Sequence, residues 1–331
     1  MKIAFFEIEE WEEDFLQKKL EGHDISFDTD LISPETPRID NIEILSVFIY
    51  SKVDKDLLSK MPQLKMIVTR STGFDHIDIE ACKARNIIVT NVPEYGTQTV
   101  AEHTFALLLA LSRKIVQSVE RTQKSDFSLD GLRGFDLYKK TLGVVGAGNI
   151  GQAVIRIANG FGMDILVSSP HQDMELAQRL GFMYVDLEHL LKVSDIITFH
   201  VPLTPETKHM LNKDNISQLK KGAIVLNTAR GGIIETEALL MGLEQGIVAG
   251  AGIDVLEEEC FIKEERQLLT SQFLKECDIK AQLLNHVLVT KENVLVTPHN
   301  AFNSIEALLR ILDVSVENVL SFVQQKTVNQ V

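Results

Sequence analysis

"TLGVVGAGNIGQAVIRIANGFG", residues 141–162, decides how the rest of the chain is read. Its first five residues have the length and apolar content of a buried strand. From Ile150 onward the apolar residues recur at helical spacing. Between the two stand Gly146, Gly148 and Gly151, in G-x-G-x-x-G spacing. That pattern gains physical meaning where a strand runs into a helix, as here. Gly146 permits a tight turn, Gly148 lets a phosphate approach the backbone, and Gly151 lets helix and strand pack closely. The first helical amides, around Asn149 and Ile150, then face an anion. The reading is a dinucleotide-binding turn; spacing alone would also suit a plain strand-to-helix turn.

Outward from this turn, strand-like and helix-like segments alternate along the chain. "DILVSS", "DIITFHV", "AIVLN", "IVAGAGIDV" and "NVLVT" read as strands, with "MELAQRLG" and "TEALLMGLEQG" among the helices between them. Upstream, "KIAFF", "ILSVFIY", "LKMIVTR" and "IIVTNV" form an earlier strand series, separated by "DKDLLSKM" and "DIEACKARN". Such alternation implies an α/β chain, with parallel sheets covered by helices. Two strand series in 331 residues fit two domains better than one core. Pro, Gly and polar residues collect around 93–99, so a boundary is expected near residue 95. The segment 97–120 reads as one long helix, with Thr99 and Glu102 as a capping box. Its apolar density suggests burial against another domain or subunit. A last amphipathic helix is expected from Ser304 to about Gln325, its apolar residues running from Ile305 and Leu309 to Val323.

Apolar residues make up 45% and charged residues 24%, which is ordinary for a globular chain. The net charge of −14 argues against nucleic acid, which needs a basic surface. It also repels anionic substrates, so such a substrate needs local positive groups. Cys82, Cys260 and Cys277 form no CxxC pair and read as free thiols in a reducing compartment. No apolar run reaches the roughly 18 residues of a membrane span. The opening "MKIAFFEIEEWEE" is too acidic for a signal peptide. The expectation is a cytoplasmic protein with a small-molecule substrate and neither nucleic-acid nor membrane partners. Its histidines show no metal-ligand spacing, so no metal site is expected.

In open parallel sheets, ligands bind outside the carboxyl ends of the strands. Polar motifs gather at such ends here. "AIVLN" runs into Thr228, Ala229 and Arg230, "IVAGAGIDV" into Glu257, Glu258 and Glu259, and "NVLVT" into Pro298 and His299. An arginine, a carboxylate and a histidine beside a hydride carrier form a proton-transfer set with an anion clamp. At the end of the second strand an acid normally holds the adenosine ribose. "DILVSSPHQD" has Ser168 and Ser169 there instead. NAD is the expected cofactor; NADP or dual use stays open, because a serine does not repel a 2′-phosphate.

"TRSTGFDHID", "VPEYGTQTVAEHT", "GAGNIG", "HVPLTPETKHML", "NTARGG", "GIDVLEEE" and "TPHNAF" together resemble the D-isomer-specific 2-hydroxyacid dehydrogenases, in the family's order and over nearly the whole chain. The resemblance implies a flavodoxin-like substrate domain of residues 1–95, completed by 300–331, and a Rossmann-type cofactor domain, 96–299. It implies a homodimer joined largely through the cofactor domains, which would account for the apolar helix after Thr99. It implies His299 as general acid, Glu259 as its carboxylate partner and Arg230 as substrate clamp, whose planar fork suits a 2-oxo carboxylate. Thr72 and Gly73 become a second carboxylate holder, and Tyr95, Phe302 and Tyr50 line the side-chain pocket. On the cofactor side it implies Gly146, Gly148, Asn149, Ile150 and Gly151 at the phosphates and Ser169 at the ribose. Val201, Pro202 and Thr207 fall on the adenosine side, and Thr228, Ala229, Arg230 and Asp254 on the nicotinamide side. Glu257 and Glu258 are expected to be solvated, His200 buried and neutral, and His103 structural or inter-domain. The long segment after Glu259, with Tyr95 and Phe302, looks most like the D-lactate dehydrogenase branch. That makes pyruvate the expected substrate; glyoxylate, hydroxypyruvate and bulkier 2-oxo acids stay open, as does a non-enzymatic, corepressor-like NAD(H) sensor.

Overall fold

The computed structural model describes residues 1–257 and 279–331. The chain divides into two compact units, Met1–Tyr95 with Asn303–Val331, and Gly96–Phe302.

The first unit runs through β1 (Lys2–Phe5), α1 (Glu10–Lys19), β2 (Asp24–Phe27), β3 (Ile44–Val47), α2 (Lys55–Ser59), β4 (Met66–Thr69), α3 (Ile79–Ala84) and β5 (Ile88–Thr90). All strand pairs are parallel, in the order β2-β1-β3-β4-β5, the flavodoxin-like arrangement. β3 and β4 are buried along their whole length, as expected of strands covered on both faces. The C-terminal helix Ile305–Val323 supplies part of that cover. Its Leu312, Val316 and Val319 pack with Ile3, Phe5, Ile44 and Val68. Ser304 caps it by accepting from the Ala307 amide. Ile305 and Leu309, read as part of its apolar face, are left exposed.

Strand order reverses between β1 and β3, where such sheets open a crevice. Glu7 lies there at φ +56° and accepts the Phe48 and Tyr50 amides, both at 2.8 Å. Arg70, at the end of β4, is fully buried. Its guanidinium donates to Ser46 Oγ at 3.1 Å, the Phe6 carbonyl at 2.7 Å and the Glu7 carbonyl at 2.6 Å. One cation thus ties three strand ends together. Burial pulls its pKa down, and the charges of Glu12 and Glu7 push back.

The second unit runs through α4 (Thr97–Ser112), α5 (Ile115–Gln123), β6 (Thr141–Val145), α6 (Asn149–Gly160), β7 (Asp164–Ser168), α7 (Met174–Leu180), β8 (Met183–Tyr184), α8 (Leu187–Val193), β9 (Ile196–Phe199), β10 (Ala223–Asn227), α9 (Thr236–Glu244), β11 (Val248–Ile253), the helix Ile279–Val289 and β12 (Val294–Val296). Its strands are parallel in the order β12-β11-β10-β9-β6-β7-β8. Read from β8, this is the Rossmann order with one added strand.

Three expectations need correction. The segment 97–120 is two helices, because Lys114 takes a left-handed φ of +52° between them. The Thr99–Glu102 box does not cap the first, which begins at Thr97 behind Gly96 and leaves Thr99 inside the opening turn. Nor does the apolar character of α4 call for a partner. Ala101, Phe105, Leu107, Leu108 and Leu111 are buried in the core of their own unit, with Val144, Val154 and Leu226.

Removing the Arg70 cation should leave two buried carbonyls and a hydroxyl without their donor. Arg70→Met is expected to lower the unfolding free energy by about 3–5 kcal/mol. Denaturant unfolding of both proteins measures this. A midpoint equal to that of the parent would show that the strand ends hold without the cation.

Candidate active site

The three glycines differ physically. Gly146 has φ +101°, and a Cβ there would lie 2.4 Å from the His200 carbonyl oxygen. A Cβ on Gly151 would lie 2.1 Å from the Gly146 carbonyl oxygen. Both are required by the protein itself. A Cβ on Gly148 would meet nothing within 4 Å. Gly148 caps α6, whose twelve residues start at Asn149 and Ile150. Open space over a helix N-terminus, with backbone bare at the cap, fits the pyrophosphate of a dinucleotide.

Because every strand of this sheet is parallel, the remaining motifs share its carboxyl edge. Ser169 follows β7, next to β6. Val201 and Pro202 follow β9. Thr207 braces that loop from within, donating to the Pro202 carbonyl at 2.6 Å and accepting from the Thr204 amide at 2.7 Å. His200 is half-buried, and desolvation of its imidazole holds the pKa down to about 3, so it is neutral. After β10, Thr228 meets Thr104 of α4 at 2.9 Å. Asn227 pins the same loop, its Oδ1 accepting the Ala229 amide and its Nδ2 donating to the Arg230 carbonyl. Gly231 admits no side chain, since a Cβ would lie 1.8 Å from the Leu256 carbonyl oxygen. Arg230 is half-buried and donates from Nη1 to the Ala229 carbonyl at 2.7 Å.

His299 follows β12 in a left-handed conformation, φ +50°. For a residue with a side chain this is strained and persists only where neighbours enforce it. Asp254, 1% exposed, enforces it. Its carbonyl accepts the His299 amide at 2.9 Å. Its Oδ1 accepts the Thr297 hydroxyl at 2.5 Å and the Asn300 amide at 3.0 Å, and its Oδ2 the Ala301 amide at 2.9 Å. Read as a nicotinamide-side residue, Asp254 thus carries the His299 turn. Glu259, expected beside His299, lies outside the described residues, as do Glu258, Cys260 and Cys277. Glu257 is not solvated as expected. It accepts from the Thr236 amide and hydroxyl at 3.0 and 2.9 Å and pairs with His209. Burial pushes its carboxyl up, but these hydrogen bonds outweigh that and hold it below its ordinary value.

In the first unit, Tyr50, Thr72 with Gly73, and Tyr95 follow the adjacent strands β3, β4 and β5. The Tyr50 ring packs edge-on against Phe48. Thr72 Oγ1 donates to the Val92 carbonyl at 2.9 Å, and its own carbonyl accepts from Asn91 Nδ2 at 2.8 Å. The Tyr95 carbonyl accepts from Arg310 Nε at 2.9 Å. Phe302 closes the second unit, half-buried. Among the described residues no group of acidic, histidine or cysteine side chains is placed to hold a metal ion, and no helix is long and apolar enough to cross a membrane.

A dinucleotide turn and a histidine held at one sheet edge define a nicotinamide-dependent oxidoreductase frame. Residues 105–301 match the family described as "D-isomer specific 2-hydroxyacid dehydrogenase, NAD binding domain". The chain is 34% identical to the D-lactate dehydrogenase of Escherichia coli, over 99% of this chain and 98% of that one. It is 38% identical to the glyoxylate reductase of Thermococcus litoralis, over 86% and 82%. Among solved structures, it resembles the D-lactate dehydrogenase from Aquifex aeolicus complexed with NAD and lactic acid. That match has a TM-score of 0.85, 37% identity, and coverage of 98% of this chain and 96% of that one. The chain belongs to the D-isomer-specific 2-hydroxyacid dehydrogenase family. It is an NAD-dependent 2-hydroxyacid dehydrogenase.

The contrast between two glycines is testable. Gly148→Ala should leave stability within about 0.5 kcal/mol yet weaken NADH binding by at least about tenfold. Gly151→Ala should cost about 1–3 kcal/mol of stability through overpacking. Thermal melts and NADH fluorescence titration report the two effects separately. Parental NADH affinity in Gly148→Ala would reduce the motif to a plain turn.

Proposed function

We propose that the protein reduces a small 2-oxo acid, pyruvate first among them, to the D-2-hydroxy acid. The observation that carries this reading is the Asp254-held His299 turn, on the same sheet edge as the glycine turn. β12 lies four strands from β6, roughly 19 Å at the usual strand spacing. An extended dinucleotide with its phosphates over α6 would place adenosine toward Ser169 and nicotinamide toward β9 and β10. Bound NADH supplies the hydride. His299 gives its proton to the carbonyl oxygen, so that a C–H and an O–H bond replace the carbonyl π bond. Glu259 holds the imidazole. Arg230 clamps the substrate carboxylate through its planar fork, offsetting the repulsion of a chain of net charge −14. By the family resemblance, Thr72 and Gly73 are further candidates for binding the substrate carboxylate, and Tyr50, Tyr95 and Phe302 for its side chain. NADH is the preferred reductant, because no Arg or Lys stands near Ser169 in "SSPHQD" to attract a 2′-phosphate.

The test is a panel of pyruvate, glyoxylate, hydroxypyruvate and a branched 2-oxo acid, each with NADH and NADPH. Pyruvate with NADH should give the highest kcat/KM, and His299→Ala should lower kcat by roughly 10²–10⁴. Cofactor binding without turnover on any acid would favour the sensor reading instead.

We also propose that the protein is a homodimer joined through the second unit. α5 leaves Ile115 and Val119 exposed, and the loop after it presents Phe127 at 76% and Leu129 at 83% exposure. That loop is braced: Arg121 Nη1 donates to the Ser128 and Asp130 carbonyls at 3.2 and 2.6 Å. Apolar side chains held outward by such a frame suit a self-complementary contact. Light scattering should give twice the chain mass, and Phe127→Asp with Leu129→Asp should halve it. A parent that scatters as a single chain would remove the dimer.

A further inference from the structure

The histidine on α4 has a place in the site that its sequence context does not suggest. His103 Nε2 lies 3.1 Å from Thr297 Oγ1 and 3.5 Å from Asp254 Oδ1. The Thr297 hydroxyl has one proton, and its 2.5 Å contact directs that proton to the Asp254 carboxylate. The Thr297 oxygen is then an acceptor, so His103 Nε2 must carry hydrogen and donate. The chain of donation runs from His103 to Thr297 to Asp254. The same carboxylate receives the amides on the far side of His299, Asn300 and Ala301. His299 itself donates its amide to the carbonyls of Asp254 and Thr297, both at 2.9 Å. The strained turn is therefore gripped through Thr297 on one side and through Asn300 and Ala301 on the other. Thr104, the next residue of α4, meets Thr228 in the loop that leads to Arg230. Two successive side chains of one helix thus reach the strand-end loops carrying the proposed acid and the proposed clamp.

We infer that His103 is a positioning residue: its Nε2–H holds Thr297 and Asp254 in the arrangement that fixes the His299 turn, and so sets the rate of proton transfer to the substrate. The inference rests on the assignment of His299 as general acid. A general acid must stay within hydrogen-bond reach of the oxygen it protonates. A displacement of about 1 Å in such a group can cost a hundredfold in rate. A glutamine at 103 keeps an N–H near the Nε2 position. A phenylalanine keeps the ring and its packing but donates nothing.

The experiment compares His103→Gln and His103→Phe with the parent. Steady-state reduction of the best 2-oxo acid, NADH titration by fluorescence, and hydrogen–deuterium exchange over residues 297–302 are measured on each. His103→Phe should lower kcat by about 10–100-fold, speed amide exchange at His299, Asn300 and Ala301, and leave the NADH Kd within about threefold of the parent. His103→Gln should restore both turnover and protection. Thr297→Val should be at least as slow as His103→Phe, because it also removes the hydroxyl donated to Asp254, and the double variant should be no worse than Thr297→Val alone, since the His103 link runs through Thr297. Parental kcat and exchange in His103→Phe would overturn the inference. So would equal losses in the Gln and Phe variants, which would make the role one of ring packing. If His299→Ala kept turning over, the parent assignment would fall instead, and the exchange data would still report whether His103 holds the turn.

Discussion

A buried carboxylate must find hydrogen-bond donors, because an ionised oxygen removed from water without them is expensive. Asp254 finds them in the Thr297 hydroxyl and in the Asn300 and Ala301 amides. Those donors bracket His299, so satisfying the carboxylate and holding the histidine at φ +50° are the same event. The interaction also explains why Asn300–Phe302 group with the second unit. The segment cannot leave β11 and β12 without stripping the carboxylate.

Parallel strands do the rest of the gathering. With every strand of the second sheet pointing one way, the loops after β6, β7, β9, β10, β11 and β12 emerge on one edge. The chemistry then depends on how each loop is stiffened. Gly146 and Gly151 allow backbone contacts that no side chain would permit. Asn227 locks the residues before and at Arg230 through its amide. The Glu257–His209 pair, with Thr236, anchors the chain just before Glu258 and Glu259. In the first unit the buried Arg70 guanidinium plays the corresponding part, tying the ends of β1, β3 and β4, from which the loops of Tyr50 and Thr72 depart. Such groups touch no substrate in this scheme, yet they hold the backbone that does.

Much of this was legible in the residues because the governing forces are local. The glycine pattern is contained in six positions, and the contact that requires Gly151 lies within them, although the His200 carbonyl that crowds Gly146 is brought there by the fold. The buried strands announce themselves by apolar runs. Arg230 and His299 stand directly after such runs, where a parallel sheet delivers ligand-binding groups. What escaped the reading had no local signature. α1, "EWEEDFLQKK", is too charged to look like a helix with a buried face, yet Leu16 packs fully into the core. The break at Lys114 interrupts no apolar pattern and shows only as a backbone angle. Nothing local marks Glu257 as a buried anchor among three consecutive acids, and only the fold brings His209 and Thr236 to it.

The sequence by itself determined the class of fold and the glycine turn, since both depend on spacing and short-range pattern, and its resemblance to a family named the residues proposed to bear the chemistry. Tertiary structure decided which polar groups hold those residues in place. His103 and Thr297 are 194 positions apart, Arg70 and Phe6 are 64 apart, and Asp254 and Thr297 are 43 apart. A hydrogen bond needs its atoms within about 3 Å, and over such separations only the packing of strands and helices can bring them there.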